Sequence, residues 1–205
     1  MLLTASKTNT VLWNKKMLAA NVPNLLTILR IILIPVFILF YYLPNTFGLI
    51  ATTGIFIFAC VTDWLDGYLA RKLGQESRFG EFLDPVADKL IVVVALILLV
   101  QSFSTALLTI PAIIIVSREI VISALREIMA QYGMSKTVAV AFIGKIKTFL
   151  QMTAIAILLS QPHHIDLGNF VTVAGFVCLY ISVIITLWSM LNYLNAAWGI
   201  LRDPK

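Results

Sequence analysis

Long apolar stretches alternate along the chain with short polar connections, and the length of those stretches sets the first expectation. A helix rises 1.5 Å per residue, so about 20 mostly apolar residues cross a hydrocarbon layer. Six stretches approach that length: Leu25–Leu43, Phe47–Leu69, Leu83–Phe103, Leu107–Met129, Val138–Ser160 and Phe170–Asn195. Turn formers separate them at Pro44-Asn45, Gly74 to Gly80, Tyr132-Gly133 and Gln161 to Gly168. Asn24 follows Pro23 and is placed to cap the first helix. The pattern predicts an all-α, polytopic membrane protein with six transmembrane helices. Residues 21–200 form its membrane domain, and residues 201–205 form a short tail. Met1–Ala20 is mixed in character and shows no secretory signal. It is either an amphipathic helix lying on the membrane surface, with Lys15 and Lys16 near anionic headgroups, or an unstructured tail.

Composition removes the soluble alternative. Of 205 residues, 60% are hydrophobic and 12% charged, and a water-soluble chain of this size has too little interior to hide that much apolar surface. The net charge of +5 would suggest nucleic acid in a soluble protein. Here its distribution reads instead as topology, and no nucleic-acid partner is implied. Segments 41–50, 101–108 and 160–170 contain no Lys or Arg. Lys7, Lys15 and Lys16 precede the first span; Arg71, Lys72 and Arg78 lie between the second and third; Lys136 lies between the fourth and fifth; Arg202 and Lys205 end the chain. This alternation places both termini in the cytoplasm. Cys60 and Cys178 lie in apolar stretches and read as small buried hydrophobes. His163 and His164 fall on the outer side as solvated loop residues.

Ionisable groups inside a bilayer cost several kcal/mol each, so each one asks for a reason. Asp63 and Asp66 are three apart near the end of the second stretch, and Asp84 and Asp88 are four apart near the start of the third. Helical spacing puts each pair on one face. A short connection makes the two helices antiparallel neighbours, so four carboxylates can converge. Four such charges repel unless cations intervene. An all-oxygen set favours a hard divalent ion (Mg²⁺, Mn²⁺ or Ca²⁺) over zinc. The structural alternatives are a cap at Asp84 before Pro85, and pairing of Asp63 and Asp66 with Arg71 or with arginines of other spans. Neither accounts for both pairs of acids. Gly67, Ala70 and Gly80 lie among the acids, where small side chains admit either a bulky ligand or a neighbouring helix.

Basic residues lie deep as well: Arg30 in the first span, Arg118 and Arg126 in the fourth, Lys145 and Lys147 in the fifth. Acids suited to divalent metals, together with Arg and Lys, fit a substrate rich in phosphate. The alternatives are a pair between Arg118 and Glu119 or a distant aspartate, and for Arg126 a pair with Glu127 or snorkelling.

Read in order, Asp63 to Asp88 spells D-x2-D-G-x2-A-R-x8-G-x3-D-x3-D. This resembles the CDP-alcohol phosphatidyltransferase family, whose six-span layout also matches. The strings Asn21-Val-Pro-Asn-Leu-Leu-Thr-Ile-Leu-Arg30, Ser117-Arg-Glu-Ile, Ala124-Leu-Arg-Glu127 and Gly144-Lys-Ile-Lys-Thr148 are similar to the bacterial branch that uses glycerol 3-phosphate. The resemblance implies two Mg²⁺ or Mn²⁺ ions on Asp63, Asp66, Asp84 and Asp88, with Asp88 also the candidate general base. It implies a CDP-diacylglycerol site bordered by Gly67, Ala70, Arg71 and Gly80, with Asp63 and Asp66 there and Thr27 and Arg30 helping to hold the diphosphate. Arg118, Lys145 and Lys147 would bind the phosphate of glycerol 3-phosphate. It further implies a homodimer in the bacterial cytoplasmic membrane with its active site facing the cytoplasm. Competing expectations are the same chemistry on phosphatidylglycerol, inositol phosphate or serine, and a divalent-cation transporter. The transporter fits poorly, because the outer halves of the spans carry almost no polar groups.

Overall fold

The computed structural model describes residues 22–73, 78–131, 141–162 and 168–201. Among the described residues the chain is all helical, with no strand. Six helices follow in order: α1 Val22–Tyr41, α2 Thr46–Leu73, α3 Arg78–Phe103, α4 Ala106–Gln131, α5 Ala141–Leu159 and α6 Phe170–Leu201. Four of them contain stretches long and apolar enough to cross a membrane: Thr46–Leu65, Val86–Phe103, Ala106–Met129 and Phe170–Asn195. Leu25–Tyr41 and Ile146–Leu159 are shorter apolar segments. The protein is therefore a helical membrane protein. Large apolar side chains face outward along the helices, among them Trp64 (71% exposed), Phe149 (70%) and Trp188 (69%), as a lipid-facing surface requires.

The helix ends show which sequence signals acted. Asn45 caps α2: its Oδ1 accepts from the backbone N–H of Gly48 at 2.7 Å. Asn169 caps α6 in the same way, accepting from Val171 N–H at 2.9 Å. Ser104 ends α3 in the left-handed region, at φ 45°, and its hydroxyl donates to the Gln101 carbonyl at 2.7 Å. At the N-terminus the expected cap shifts. Helix α1 already runs from Val22, so Asn24 falls inside the first turn, a place where Pro23 is also tolerated because those N–H groups have no intrahelical acceptor.

Helices α2 and α3 extend beyond the apolar windows at the ends that carry the aspartates. The second helix continues to Leu73 and the third begins at Arg78. Residues 74–77, 132–140 and 163–167, and both chain termini, lie outside the described residues. With them go the readings for Met1–Ala20, Lys136, His163 and His164.

The chain divides within α3, after Ile91, into two compact units. In the first, α1 packs along α2. Phe37 and Phe56 are fully buried, with ring centroids 6.3 Å apart. In the second, α6 packs on both α5 and α4. Gly175 of α6 lies so close to α5 that a Cβ there would meet Leu158 and Ile157 at 3.0 Å. Nearer the other end of α6, Tyr193 joins Ile122, Leu125 and Met129 of α4 in a buried cluster.

Several hydroxyls inside these helices turn back on their own backbone. Thr62 donates to Ala59 O at 2.9 Å, Ser123 to Glu119 O at 2.6 Å and Ser182 to Leu179 O at 2.7 Å. This satisfies each proton locally where water is scarce.

Candidate active site

The first unit places one candidate acid in a defined pair. Arg30 of α1 is almost fully enclosed, 1% exposed, and its Nη1 donates to Asp63 Oδ1 of α2 at 2.6 Å. The Asp63 side chain keeps 33% of its surface exposed. A buried guanidinium is costly unless paired, and a carboxylate held by one fixed donor is oriented by it. The arginine expected to help hold a diphosphate thus reaches the acid expected to hold a metal. This is one of the alternatives the sequence left open, pairing of Asp63 with an arginine of another span. Thr27, one turn before Arg30, is fully buried beside it on the helix.

Asp88 of α3 is half-buried. The residues between the two acidic pairs lie on continuous helix at both ends, so the spacing of three at residues 63 and 66 and of four at 84 and 88 is realised in the backbone. The side chains of Asp66, Gly67, Ala70, Arg71, Gly80 and Asp84 lie outside the described residues. Among the described residues no three His, Cys, Asp or Glu side chains gather closely enough to hold a metal ion. The chemistry of the set still suits a hard divalent cation, because every donor is a carboxylate oxygen. Asp63 fits that role in one further respect. Its side chain pairs with Arg30 while a third of its surface stays exposed. A basic partner that fixes a ligand from behind is a common feature of metal sites.

The second unit holds a cationic cluster. Arg118 of α4 (8% exposed) and Lys147 of α5 (1% exposed) are both buried. Arg118 Nη1 donates to Glu119 Oε1 at 2.6 Å, and Lys147 Nζ donates to the same oxygen at 2.8 Å. Two of the three residues expected to bind a phosphate are therefore brought together from different helices, with Lys147 reaching across 28 residues of sequence to Glu119. Lys145 lies on α5, but its side chain, like that of Arg126 on α4, is outside the described residues.

Glu119 is the residue the sequence underrated. It appeared there only as one partner for Arg118, whereas it bridges both cations. Its adjacency to Arg118 was visible; its reach to Lys147 was not, because nothing in the linear order sets the rotation of α4 against α5. Glu119 keeps 22% of its side chain exposed while the cations are enclosed. Within these three side chains positive charge outnumbers negative two to one, so the cluster retains an attraction for a further anion.

A single buried atom in this cluster also lacks a partner: among the described residues Arg118 Nε meets no acceptor. Such a donor costs about 1–3 kcal/mol if left unsatisfied, and a bound anion would relieve it.

Comparisons with known proteins agree with this chemistry. A family model described as CDP-alcohol phosphatidyltransferase matches residues 20–191. A protein of Yersinia pestis (strain Pestoides F) named CDP-diacylglycerol–glycerol-3-phosphate 3-phosphatidyltransferase is 48% identical over 184 residues, covering 90% of this chain and 98% of that protein. Proteins of the same name from Haemophilus influenzae and Escherichia coli K12 are 52% and 49% identical over 183 residues. Each covers 89% of this chain, with 96% and 98% of the relative matched.

Proposed function

The chain belongs to the CDP-alcohol phosphatidyltransferase family, and we propose that it transfers the phosphatidyl group of CDP-diacylglycerol to glycerol 3-phosphate, giving phosphatidylglycerophosphate and CMP. The observation that carries this reading is the buried pairing of Arg118 and Lys147 on one carboxylate oxygen. A net-cationic, enclosed cluster favours a phosphorylated acceptor over serine. The names of the relatives point to the same acceptor.

In this reading Asp63, Asp66, Asp84 and Asp88 hold two divalent ions, Mg²⁺ or Mn²⁺, with Asp88 contributing to the second. When bound, the ions neutralise charge on the diphosphate of the lipid donor. Arg30 keeps the Asp63 carboxylate in place. Gly67, Ala70, Arg71 and Gly80 border the CDP group, with Thr27 and Arg30 near its diphosphate. Arg118, Lys145 and Lys147 hold the phosphate of the acceptor. Asp88 takes the proton from the acceptor's primary hydroxyl. That oxygen forms its bond to the lipid-side phosphorus while the bond from this phosphorus to the bridging oxygen breaks, and CMP leaves with the electron pair.

Six spans in the bacterial cytoplasmic membrane, both termini and the site on the cytoplasmic side, and a homodimer complete the proposal. The alternation of Lys and Arg between connections supports the sidedness. The CDP head of the membrane-held donor and the soluble glycerol 3-phosphate would then meet at the same membrane face.

The test is CMP release by the detergent-extracted protein with CDP-diacylglycerol, with and without glycerol 3-phosphate. Release should require the acceptor, stop with EDTA and return with Mg²⁺ or Mn²⁺. CMP release that is indifferent to glycerol 3-phosphate but rises with serine or phosphatidylglycerol would reassign the acceptor. Divalent-ion uptake into liposomes without CMP release would replace catalysis with transport.

A further inference from the structure

The face of α5 that carries Lys147 continues one turn on to Gln151, which is 4% exposed. Among the described residues its Oε1 has no hydrogen-bond partner. A buried amide oxygen left in this state costs free energy, and inside a membrane helix no bulk water offsets it.

Two unsatisfied buried atoms of opposite kind thus belong to one region of the second unit. Arg118 Nε is a donor without an acceptor, and Gln151 Oε1 is an acceptor without a donor. Arg118 is tied to Lys147 through Glu119, and Gln151 lies one turn, about 5.4 Å, beyond Lys147. A phosphorylated three-carbon polyol spans about that distance and carries the complementary groups, phosphate oxygens at one end and a hydroxyl proton beside them.

We propose that Gln151 is a specificity-determining residue whose amide oxygen accepts a hydrogen bond from the non-reacting secondary hydroxyl of an acceptor anchored by its phosphate at Lys147 and Arg118. The proposal rests on the transferase reading above and adds to it the group that selects a polyol phosphate. A site built to bond a hydroxyl rejects an analogue lacking it, because the buried partner then stays unpaired.

The experiment compares glycerol 3-phosphate with propane-1,3-diol monophosphate, which keeps the phosphate and the reacting primary hydroxyl but lacks the secondary one. CMP release is followed for the full chain in detergent with CDP-diacylglycerol. The unaltered protein should favour glycerol 3-phosphate by about 10- to 100-fold in kcat/KM. Gln151→Met, of similar length but without the amide, should bring that preference within about threefold through loss on glycerol 3-phosphate, with KM for the CDP-lipid unchanged. Gln151→Asn, which keeps the amide on a shorter stem, should retain part of the preference and carries the test if the methionine variant does not fold. An unchanged ratio in both variants, an equal loss on both acceptors, or no preference in the unaltered protein overturns the assignment. Absence of CMP release with either acceptor in the unaltered protein overturns the transferase reading itself, and the assignment with it.

Discussion

In the first unit one enclosed cation, Arg30, meets one partly exposed carboxylate, Asp63, whereas in the second two enclosed cations, Arg118 and Lys147, share a single oxygen of Glu119. Both arrangements keep ions inside apolar helices, where an isolated charge is expensive. The difference lies in what remains over. To the acid that pairs with Arg30 the sequence adds Asp66 on α2 and Asp84 and Asp88 on α3. The Glu119 cluster has a cation in excess. Ion pairing accounts for the burial in each case, and in the proposed function the two sites take ligands of opposite charge. An acidic surplus suits divalent metal, and a basic surplus suits phosphate.

Substitutions in either unit test these roles. Asp88→Asn should have the largest effect, lowering turnover about 10²- to 10⁴-fold, as expected for loss of a general base. Metal-dependent binding of the CDP-lipid should largely persist. Near-normal CMP release in that variant would remove Asp88 from the proton transfer. Next comes the basic side. Lys147→Ala should raise KM for glycerol 3-phosphate about 10- to 100-fold, the scale of losing one partner from a buried charged contact, while KM for CDP-diacylglycerol stays within about twofold. Equal rises for both substrates would show that the cluster is structural and does not hold the acceptor.

Arg30→Met sharpens the first half of the comparison. It leaves Asp63 without its cation, and thermal denaturation in detergent should report a loss of about 2 kcal/mol. That is less than for a fully enclosed pair, because Asp63 is a third exposed. Activity should fall with it, since the carboxylate loses its fixed orientation. Unchanged stability would mean that burial of Arg30 does not depend on Asp63. The smallest effects belong to positions remote from both clusters and serve as the baseline. A Cβ at Gly48 would meet Leu43 O at 2.5 Å, so Gly48→Ala should destabilise by about 1–3 kcal/mol. Nothing lies within 4 Å of a Cβ at Gly54, and Gly54→Ala should change stability by less than about 1 kcal/mol, towards greater stability. Neither should move the KM of either substrate. A specific effect on acceptor KM at Gly48 would show that acceptor binding is sensitive to packing defects in general.

Hydropathy and spacing made the helical architecture legible. Four of the apolar windows lie on helices long and apolar enough to cross a membrane and two on shorter apolar segments, and Pro44-Asn45 and the polar run ending at Gly168-Asn169 lead into the caps of α2 and α6. The windows misjudged the ends at the aspartates, because Arg71, Lys72 and Arg78 lower the hydropathy of segments that remain helical. The family signature, read from eight positions of the linear sequence, named the acids without any coordinates. Glu119 and Gln151 were a different matter. One looked like a neighbour of Arg118 and the other like an ordinary polar residue in an apolar helix.

By itself the sequence determined the membrane class, the positions of the acids and bases along each helix, and the family, because each depends on composition or on spacing along one chain. Tertiary structure decided which charges meet. Arg30 finds Asp63, and Lys147 finds Glu119. These outcomes depend on how each helix is rotated and shifted against its neighbour, and that is fixed by side-chain packing at contacts such as Gly175 on Leu158, which no periodicity within a single helix encodes.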